Sequence, residues 1–190
     1  MESTSLMNQF LIAMPAMVNP DFSHTVSYIC EHNEEGAMGF VINRPMDITV
    51  GQLLQQTEIK YTPGCKNNDR PIYFGGPVER ERGFVLHSGD ANWGASMPIT
   101  EEVSITTSTD ILEAIGRDEG PESFLLALGY AGWAGGQLEQ EIMENAWLSS
   151  PVDTQLLFNT GRTGGEDSWQ QAASLIGVDL QHLHNQAGHA

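Results

Sequence analysis

Residues 129–142 read GYAGWAGGQLEQEI, a glycine-rich turn between an apolar run and a predicted helix, as in phosphate-binding loops. The glycine spacing matches neither the dinucleotide fingerprint nor the G-x-x-x-x-G-K-[ST] loop. With Gly136 as the helix N-cap, Glu139 takes the position of a capping-box glutamate, and its carboxylate competes with any phosphate. The segment holds no Lys or Arg to offset that charge. We therefore predict that these glycines turn the chain and present Tyr130 and Trp133, and do not hold a nucleotide.

A second group has the residue types of a hydrolase. His87-Ser88-Gly89-Asp90 places an imidazole beside a hydroxyl and a carboxylate, and Glu139 is another candidate acid. An enzyme built on His87 with Asp90 or Glu139 is therefore one hypothesis. No G-x-S-x-G elbow is present, and adjacency in sequence does not give triad geometry. The competing interpretation is a strand end that runs into turn residues.

Metal-ligating types occur at short spacing in two places. Cys30 and His32 are predicted to share one strand face, with Glu34 beyond them, and His182 and His184 lie near the C-terminus. No C-x-x-C, H-E-x-x-H or carboxylate cluster completes a four-ligand set. The sequence thus predicts no metal site and no resident cofactor, and these histidines are expected to be solvated or hydrogen-bonded.

Asn43-Arg44-Pro45 follows the apolar run MGFVI, and Pro45 directs the chain out of that strand. Arg44 is the only basic residue among the first 59, so its surroundings are expected to be acidic. Two interpretations remain open. Arg44 either forms a structural ion pair with a carboxylate such as Glu139, or recognises an anionic group of a ligand or peptide.

Three turns can form one binding surface if the fold brings them together. They are the NRP segment, the GGPV turn at 75–78 and the GYAGWAGG segment. Their convergence at one end of a barrel would give a concave patch with an arginine and an aromatic floor. The candidate ligand- or partner-binding residues are Asn43, Arg44, Gly75, Gly76, Pro77, Tyr130, Trp133 and Glu139.

The elements that must position these residues follow from hydrophobic periodicity. Strands are predicted at 7–14, 24–32, 37–44, 71–76, 81–88, 103–108, 123–130 and 154–159. Helices are predicted at 49–57, with Thr49 as its cap, at 109–116, 137–145 and 166–177. Strands in runs, without strict alternation with helices, indicate the α+β class. We expect one domain over residues 1–190, with a flattened, barrel-like, mainly antiparallel β core and about four short helices outside. Residues 1–6 and 185–190 are expected to be loose termini.

Composition narrows the functional classes. The 190-residue chain carries 25 acidic and 8 basic residues, for a net charge of −17. Direct binding to DNA and to anionic membranes is disfavoured, because both need clustered cations. The pair Arg80 and Arg82 forms no such cluster, since it is interleaved with Glu79 and Glu81.

No positive segment precedes the apolar run at 10–18, so a cytoplasmic location is predicted. A monomer is the default expectation.

The motifs GAMGFVINRP (36–45), YFGGPV (73–78), RGFVLH (82–87) and NAWLSSP (145–151), together with the 129–142 segment, closely resemble the AlgH/YqgE-type family of bacterial proteins. The likeness runs from about Phe10 to the C-terminus. The resemblance implies a single cytosolic α+β domain with a barrel-like core. The family name comes from a suggested role in regulating alginate synthesis, and its members have no agreed biochemical function.

These observations favour a non-enzymatic cytosolic binding or regulatory module over an enzyme. Motifs are dense, yet no complete catalytic constellation accompanies them. The expected partner is a protein or a small anionic ligand. The alternative is the hydrolase-like enzyme at His87, and a direct DNA-binding regulator is the least favoured because the chain lacks a basic surface.

Overall fold

The computed structural model describes the backbone of residues 4–187 and the side chains of residues 4–160 and 164–183. Residues 1–3 and 188–190, within the termini predicted to be loose, lie outside this range. The strands are β1 (Gln9–Ala13), β2 (Val26–Asn33), β3 (Gly36–Val41), β4 (Pro45–Thr49), β5 (Pro71–Phe74), β6 (Val78–His87), β7 (Ser96–Pro98), β8 (Ser104–Thr106), β9 (Phe124–Ala134) and β10 (Trp147–Pro151). The helices are α1 (Val50–Gln56), α2 (Thr109–Gly116), α3 (Gln137–Met143), α4 (Thr154–Thr163), α5 (Gly165–Ser174) and α6 (Leu180–Ala187).

The ten strands form one sheet that curls into a half-barrel. Its main path runs β10-β1-β2-β3-β9-β6-β8-β7, and β5 pairs with β9 and with β4. Among the described strands the pairing is antiparallel except between β5 and β9. The predicted α+β class with a mainly antiparallel, barrel-like core is therefore confirmed.

Alternating side chains place the core on both faces of the sheet. In β9, Leu125 and Ala127 join the inner core, whereas Phe124 and Leu126 pack on the outer face against α1 and α2. The inner core is closed by apolar residues of α4, α5 and α6, and a third cluster lies between β1, β2, β9 and α3. The uninterrupted apolar run of β9 thus has the predicted cause, burial on both faces.

The strand predicted at 154–159 is wrong, because these residues begin helix α4. Asp153 caps the helix, and its side chain accepts a hydrogen bond from the Leu156 N–H at 3.0 Å. Leu157 and Thr160 are buried at helical spacing. A short apolar run such as TQLLFN fits either structure, and here the aspartate cap decides for the helix.

The helix predicted at 49–57 is confirmed as α1, including its cap. The Thr49 hydroxyl and the Gln52 side chain close a capping box. Strands β4, β7 and β10 were not predicted. The count of about four helices is too low, since α4 and α6 bring the described residues to six. No helix between residues 4 and 187 is long and apolar enough to cross a membrane.

A close crossing of two glycine segments joins the parts of the sheet. The Gly75 N–H donates to the Leu128 carbonyl at 2.8 Å, and the Val41 N–H donates to the Gly75 carbonyl at 2.7 Å. Gly76 has a φ of +156° and lies directly against the Tyr130 backbone, so no room remains for a Cβ atom. The two glycines of the GGPV motif are therefore required by packing between β3, β5 and β9.

We predict that Gly76→Ala lowers the free energy of unfolding by about 2–3 kcal/mol, because the added methyl group overlaps the Tyr130 carbonyl. Urea unfolding followed by tryptophan fluorescence measures the loss. Gly83→Ala is the matched control, since a Cβ at Gly83 meets nothing within 4 Å. Equal stability of the two variants would contradict the proposed crossing constraint.

Candidate functional site

Arg44 holds a neighbouring loop and does not reach Glu139. Its guanidinium donates to the Pro20 carbonyl at 2.6 Å and to the Ser23 carbonyl at 2.8 Å. Burial lowers the pKa of Arg44, and the nearby Asp21 carboxylate opposes that shift. The structure describes no ion pair between Arg44 and Glu139. Arg44 is thus placed as a structural clamp on the loop, with backbone carbonyls in place of a carboxylate.

Asn43 has a similar structural position. It is 4% exposed, and its side-chain oxygen accepts from the Val26 N–H at 2.8 Å. Its amide nitrogen donates to the His24 carbonyl at 3.0 Å and to the Gly165 carbonyl at 2.8 Å. These bonds tie β2 to the start of α5, so the Asn43 amide is fully engaged within the fold.

Trp133 lies on the outer face of the sheet in the cluster under α3. Its indole N–H donates to Glu141 Oε2 at 2.8 Å, and Trp147 donates to the same oxygen at 3.3 Å. Phe22, from the loop that Arg44 clamps, packs its ring against both indoles. Trp133 is 6% exposed and serves as a core plug.

Glu139 lies in the same region, paired with His32. Glu139 Oε1 and His32 Nε2 are 2.6 Å apart. His32 Nδ1 accepts the Leu6 N–H at 2.9 Å, so Nε2 carries the proton that is donated to Glu139. Glu139 closes no capping box on Gly136, although its own backbone N–H lowers the pKa of its carboxyl, with His32 contributing.

The expectation that Cys30 and His32 share a strand face is wrong. A β-bulge between Ile29 and Glu31 inserts one residue into β2 and reverses the alternation beyond it. Cys30 therefore faces the inner core, whereas His32 contacts Glu139 of α3 on the outer face. Burial raises the pKa of the Cys30 thiol to about 12, with Glu31 adding to the rise. This thiol stays protonated and donates to the Met38 carbonyl at 3.4 Å.

His87 is fully buried at the end of β6. Its Nδ1 lies 2.9 Å from the Ser88 carbonyl and its Nε2 lies 2.8 Å from the Thr106 hydroxyl. Since a carbonyl only accepts, Nδ1 carries the proton, and Nε2 accepts from Thr106. Asp90 is exposed, and the structure describes no contact from His87 to Asp90 or to Glu139. The hydrolase constellation is therefore not assembled among the described residues.

One concave site is a groove of about 560 Å³ that is lined in part by residues of the inner core. Its floor and rim come from several strands and from the segment before β7. The apolar floor consists of Cys30, Met38, Phe40, Phe84, Ile105 and Tyr130. The rim includes Arg82, Trp93 and Met97.

Aromatic contacts organise the groove floor. Phe84 lies at the centre, with ring centroids 5.0 Å from Phe40 and 5.9 Å from Tyr130. The Arg82 guanidinium carbon lies 5.0 Å from the centroid of the Phe84 ring. The side chain of Arg82 is 54% exposed and is 3.1 Å from the Glu79 carboxylate. The groove thus combines an aromatic floor with an accessible cation.

The predicted motif residues divide among three places. Tyr130 lines the groove, and Val78, which follows Gly75, Gly76 and Pro77, pairs with Tyr130 across β6 and β9. The remaining four predicted residues lie in the clamp and under α3. The sequence reasoning missed Arg82 and Phe84, although their alternation in RGFVLH is a usable signal for one strand face.

We predict that Arg44→Ala lowers the free energy of unfolding by about 2 kcal/mol, because two charge-assisted bonds to the 20–23 loop are lost. Urea unfolding measures the change. Arg82→Ala is the control, expected within about 0.5 kcal/mol of wild type because its ion pair is exposed. Unchanged stability in Arg44→Ala would favour the ligand-recognition interpretation of this residue.

Buried His87 also predicts a pH dependence of stability. Burial lowers the pKa of folded His87 below the value near 6.5 that a histidine has in the unfolded chain. As the pH falls below about 6.5, His87 binds a proton in the unfolded state and stays neutral in the folded state. The free energy of unfolding therefore decreases. His87→Gln should reduce the slope between pH 6.5 and 5 by up to about 1.4 kcal/mol per pH unit. The exposed His182→Gln serves as control, and an unchanged slope in His87→Gln would refute this assignment.

Comparison with known proteins agrees with the fold and the motifs. Residues 10–181 match the model of the AlgH-like family (DUF179). A UPF0301 protein of Thioalkalivibrio sulfidiphilus is 53% identical over 188 residues, covering 99% of this chain and 98% of that protein. A UPF0301 protein of Idiomarina loihiensis is 50% identical over 186 residues, covering 98% and 99%.

Two solved structures share the architecture. The solution structure of AlgH from Pseudomonas aeruginosa superposes with a TM-score of 0.78 at 44% identity, with 100% of both chains covered. A crystal structure of a Corynebacterium diphtheriae protein gives a TM-score of 0.68 at 23% identity over 89% of this chain and 86% of that chain, which shows the fold alone. With the family match and these full-length relatives, the chain belongs to the AlgH-like family.

Proposed function

We propose that the protein is a non-enzymatic cytoplasmic binding module with a regulatory role, and that its groove takes a small molecule with an apolar body and an anionic group. The observation that carries this proposal is the Arg82 guanidinium lying over Phe84 at the edge of an apolar floor. A volume of about 560 Å³ falls within the range of small-molecule sites.

The groove residues suit an amphiphilic ligand. The Phe84 ring is inclined at 56° to Phe40 and at 76° to Tyr130, so the three rings together line an apolar floor. Arg82 is held by Glu79 in an exposed pair, and such pairs contribute little stability. A ligand anion can therefore replace Glu79 at small cost while the arginine stays over Phe84.

The competing functions have less support. A His87 hydrolase needs an accessible imidazole, and both ring nitrogens of the buried His87 are occupied by Ser88 and Thr106. A DNA-binding role needs clustered cations, whereas the chain carries a net charge of −17. A ligand-binding module requires neither feature.

Binding of two probes tests the proposal. The anionic fluorophore 8-anilinonaphthalene-1-sulfonate (ANS) and its neutral analogue N-phenyl-1-naphthylamine share an apolar body and differ in the sulfonate. We predict that Arg82→Ala weakens ANS binding about five- to tenfold and leaves the neutral probe unchanged, because only the anion contacts the guanidinium. Fluorescence titration gives both dissociation constants.

The control variants separate the groove from general surface effects. Arg117→Ala removes a comparably exposed arginine, paired with Glu119 at 3.4 Å, and should alter neither probe. Ala95→Trp fills the groove lining and should weaken both probes. Equal ANS affinity in wild type, Arg82→Ala and Ala95→Trp would refute the groove as the binding site. Native mass spectrometry of protein purified from its own host would then search for a ligand elsewhere.

A further inference from the structure

Strand β7 has an open edge. It lies at one end of the sheet path and, among the described strands, pairs with β8 alone. The Thr107 N–H donates to the Ala95 carbonyl at 3.0 Å. Main-chain hydrogen bonds alternate along an antiparallel pair, so Met97 also faces β8. Ser96 and Pro98 therefore direct their main-chain groups away from β8, toward the open edge.

The open edge borders the groove, because Ser96 is one of the residues that line it. The Ser96 hydroxyl lies 2.6 Å from the Thr106 hydroxyl. Thr106 pairs with Val85, which packs on the outer face of the sheet. The Ser96 side chain is thus turned to the outer face, and Ser96 presents its main chain to the groove. The groove therefore has a strand edge on one side and the aromatic floor around Phe84 on the other.

This edge offers few main-chain donors. The Gly94 N–H donates to the Asp110 carboxylate at 2.7 Å, and Pro98 has no N–H. Within the described segment 94–98, Ser96 thus supplies the one N–H directed to the open edge, together with its own carbonyl and that of Pro98. A long added strand would leave its own groups unpaired here, whereas a short chain end would not.

We infer that the groove binds the C-terminal end of a protein chain whose last residue is apolar. The inference rests on the function proposed above and identifies the occupant, since the last side chain is the apolar body and the α-carboxylate is the anionic group. The carboxylate pairs with Arg82, and the side chain packs on the floor beside Phe84. The main chain of the peptide pairs with Ser96, as extended peptides pair with open sheet edges in other proteins.

Charge restricts the residues that precede this chain end. The protein carries 25 acidic and 8 basic residues, and the Glu79 carboxylate lies 3.1 Å from the Arg82 guanidinium. An acidic peptide is repelled by such a surface, whereas lysine or arginine upstream of the last residue is attracted. The expected partner therefore has a basic tail that ends in an apolar residue.

Nuclear magnetic resonance tests the inference with three synthetic peptides. The first is Lys-Ser-Lys-Val-Leu with a free carboxylate, the second is the same peptide with a C-terminal carboxamide, and the third is Glu-Ser-Glu-Val-Leu with a free carboxylate. Titration of the ¹⁵N-labelled protein with the first peptide should shift the Ser96 backbone amide. The carboxamide should bind at least about tenfold more weakly, because Arg82 then has no anion to pair with. The acidic peptide should also bind more weakly than the first. Equal affinity of the first two peptides, or no shift of the Ser96 amide, would overturn the inference.

Substitution of Ser96 tests the strand pairing separately. Ser96→Pro removes the outward N–H and should weaken the first peptide about three- to tenfold. Ser96→Ala keeps that N–H and loses only the hydroxyl, so it is the matched control and should bind within about twofold of wild type. ANS makes no strand pairing, and its unchanged affinity in Ser96→Pro would show that the groove is intact. Equal peptide affinity in Ser96→Pro and Ser96→Ala would overturn the pairing.

The two proposals can fail separately. ANS binding that depends on Arg82, without binding of any peptide, would overturn the present inference and leave the proposed function in place. ANS binding that does not depend on Arg82 would remove the proposed function itself.

Discussion

Backbone contact between Gly75–Gly76 and Gly129–Tyr130 is the constraint on which the rest of the fold depends. One edge of β9 pairs with β5 at Ala127 and Leu128 and with β3 from Ala131 onward. The partner changes where Gly75 bridges the two, accepting from Val41 and donating to Leu128. Gly129, at φ +77°, gives β9 the local turn that admits this crossing. At this crossing β3 and β5 share one edge of β9.

Alternation along β9 places its motif residues on opposite faces of the sheet. Beyond Gly129, the Tyr130 side chain lies in the inner groove and the Trp133 side chain lies in the outer cluster under α3. The loop at 20–23 connects the outer cluster to Arg44, through Phe22 against Trp133 and through the Ser23 carbonyl. Dense motifs in this chain therefore reflect a framework of tight backbone contacts. The accessible chemistry lies in residues around that framework.

Hydrophobic periodicity and capping residues predict much of the secondary structure. The apolar run of β9, the Thr49 cap of α1 and the amphipathic α5 were recognisable because each depends on residues close in sequence. The strand predicted at 154–159 is wrong because a run of six residues fits the strand period and the helix period equally, and the Asp153 cap that favours the helix lies just before the run. The faces of Cys30 and His32 were misassigned because a bulge is invisible to strict alternation. The groove could not be predicted as a unit, since its floor is assembled from separate strands by the sheet order.

The few arginines of this acidic chain differ in their contacts, and these contacts decide which guanidinium group is accessible to a ligand. Arg44 and Arg70 donate hydrogen bonds to backbone carbonyls, so their guanidinium groups help to hold the fold together. Arg82 donates only to an exposed carboxylate within the described residues, and it lies beside an apolar floor. At physiological salt the field of the net charge is screened within about 8 Å, so the acidic surface does not bar an anion that has reached the groove. It does weaken long-range attraction, and a purely ionic ligand would gain little here. For the ligand proposed above, affinity would then come from apolar area buried against Phe40, Phe84 and Tyr130, and Arg82 would select among apolar ligands by charge.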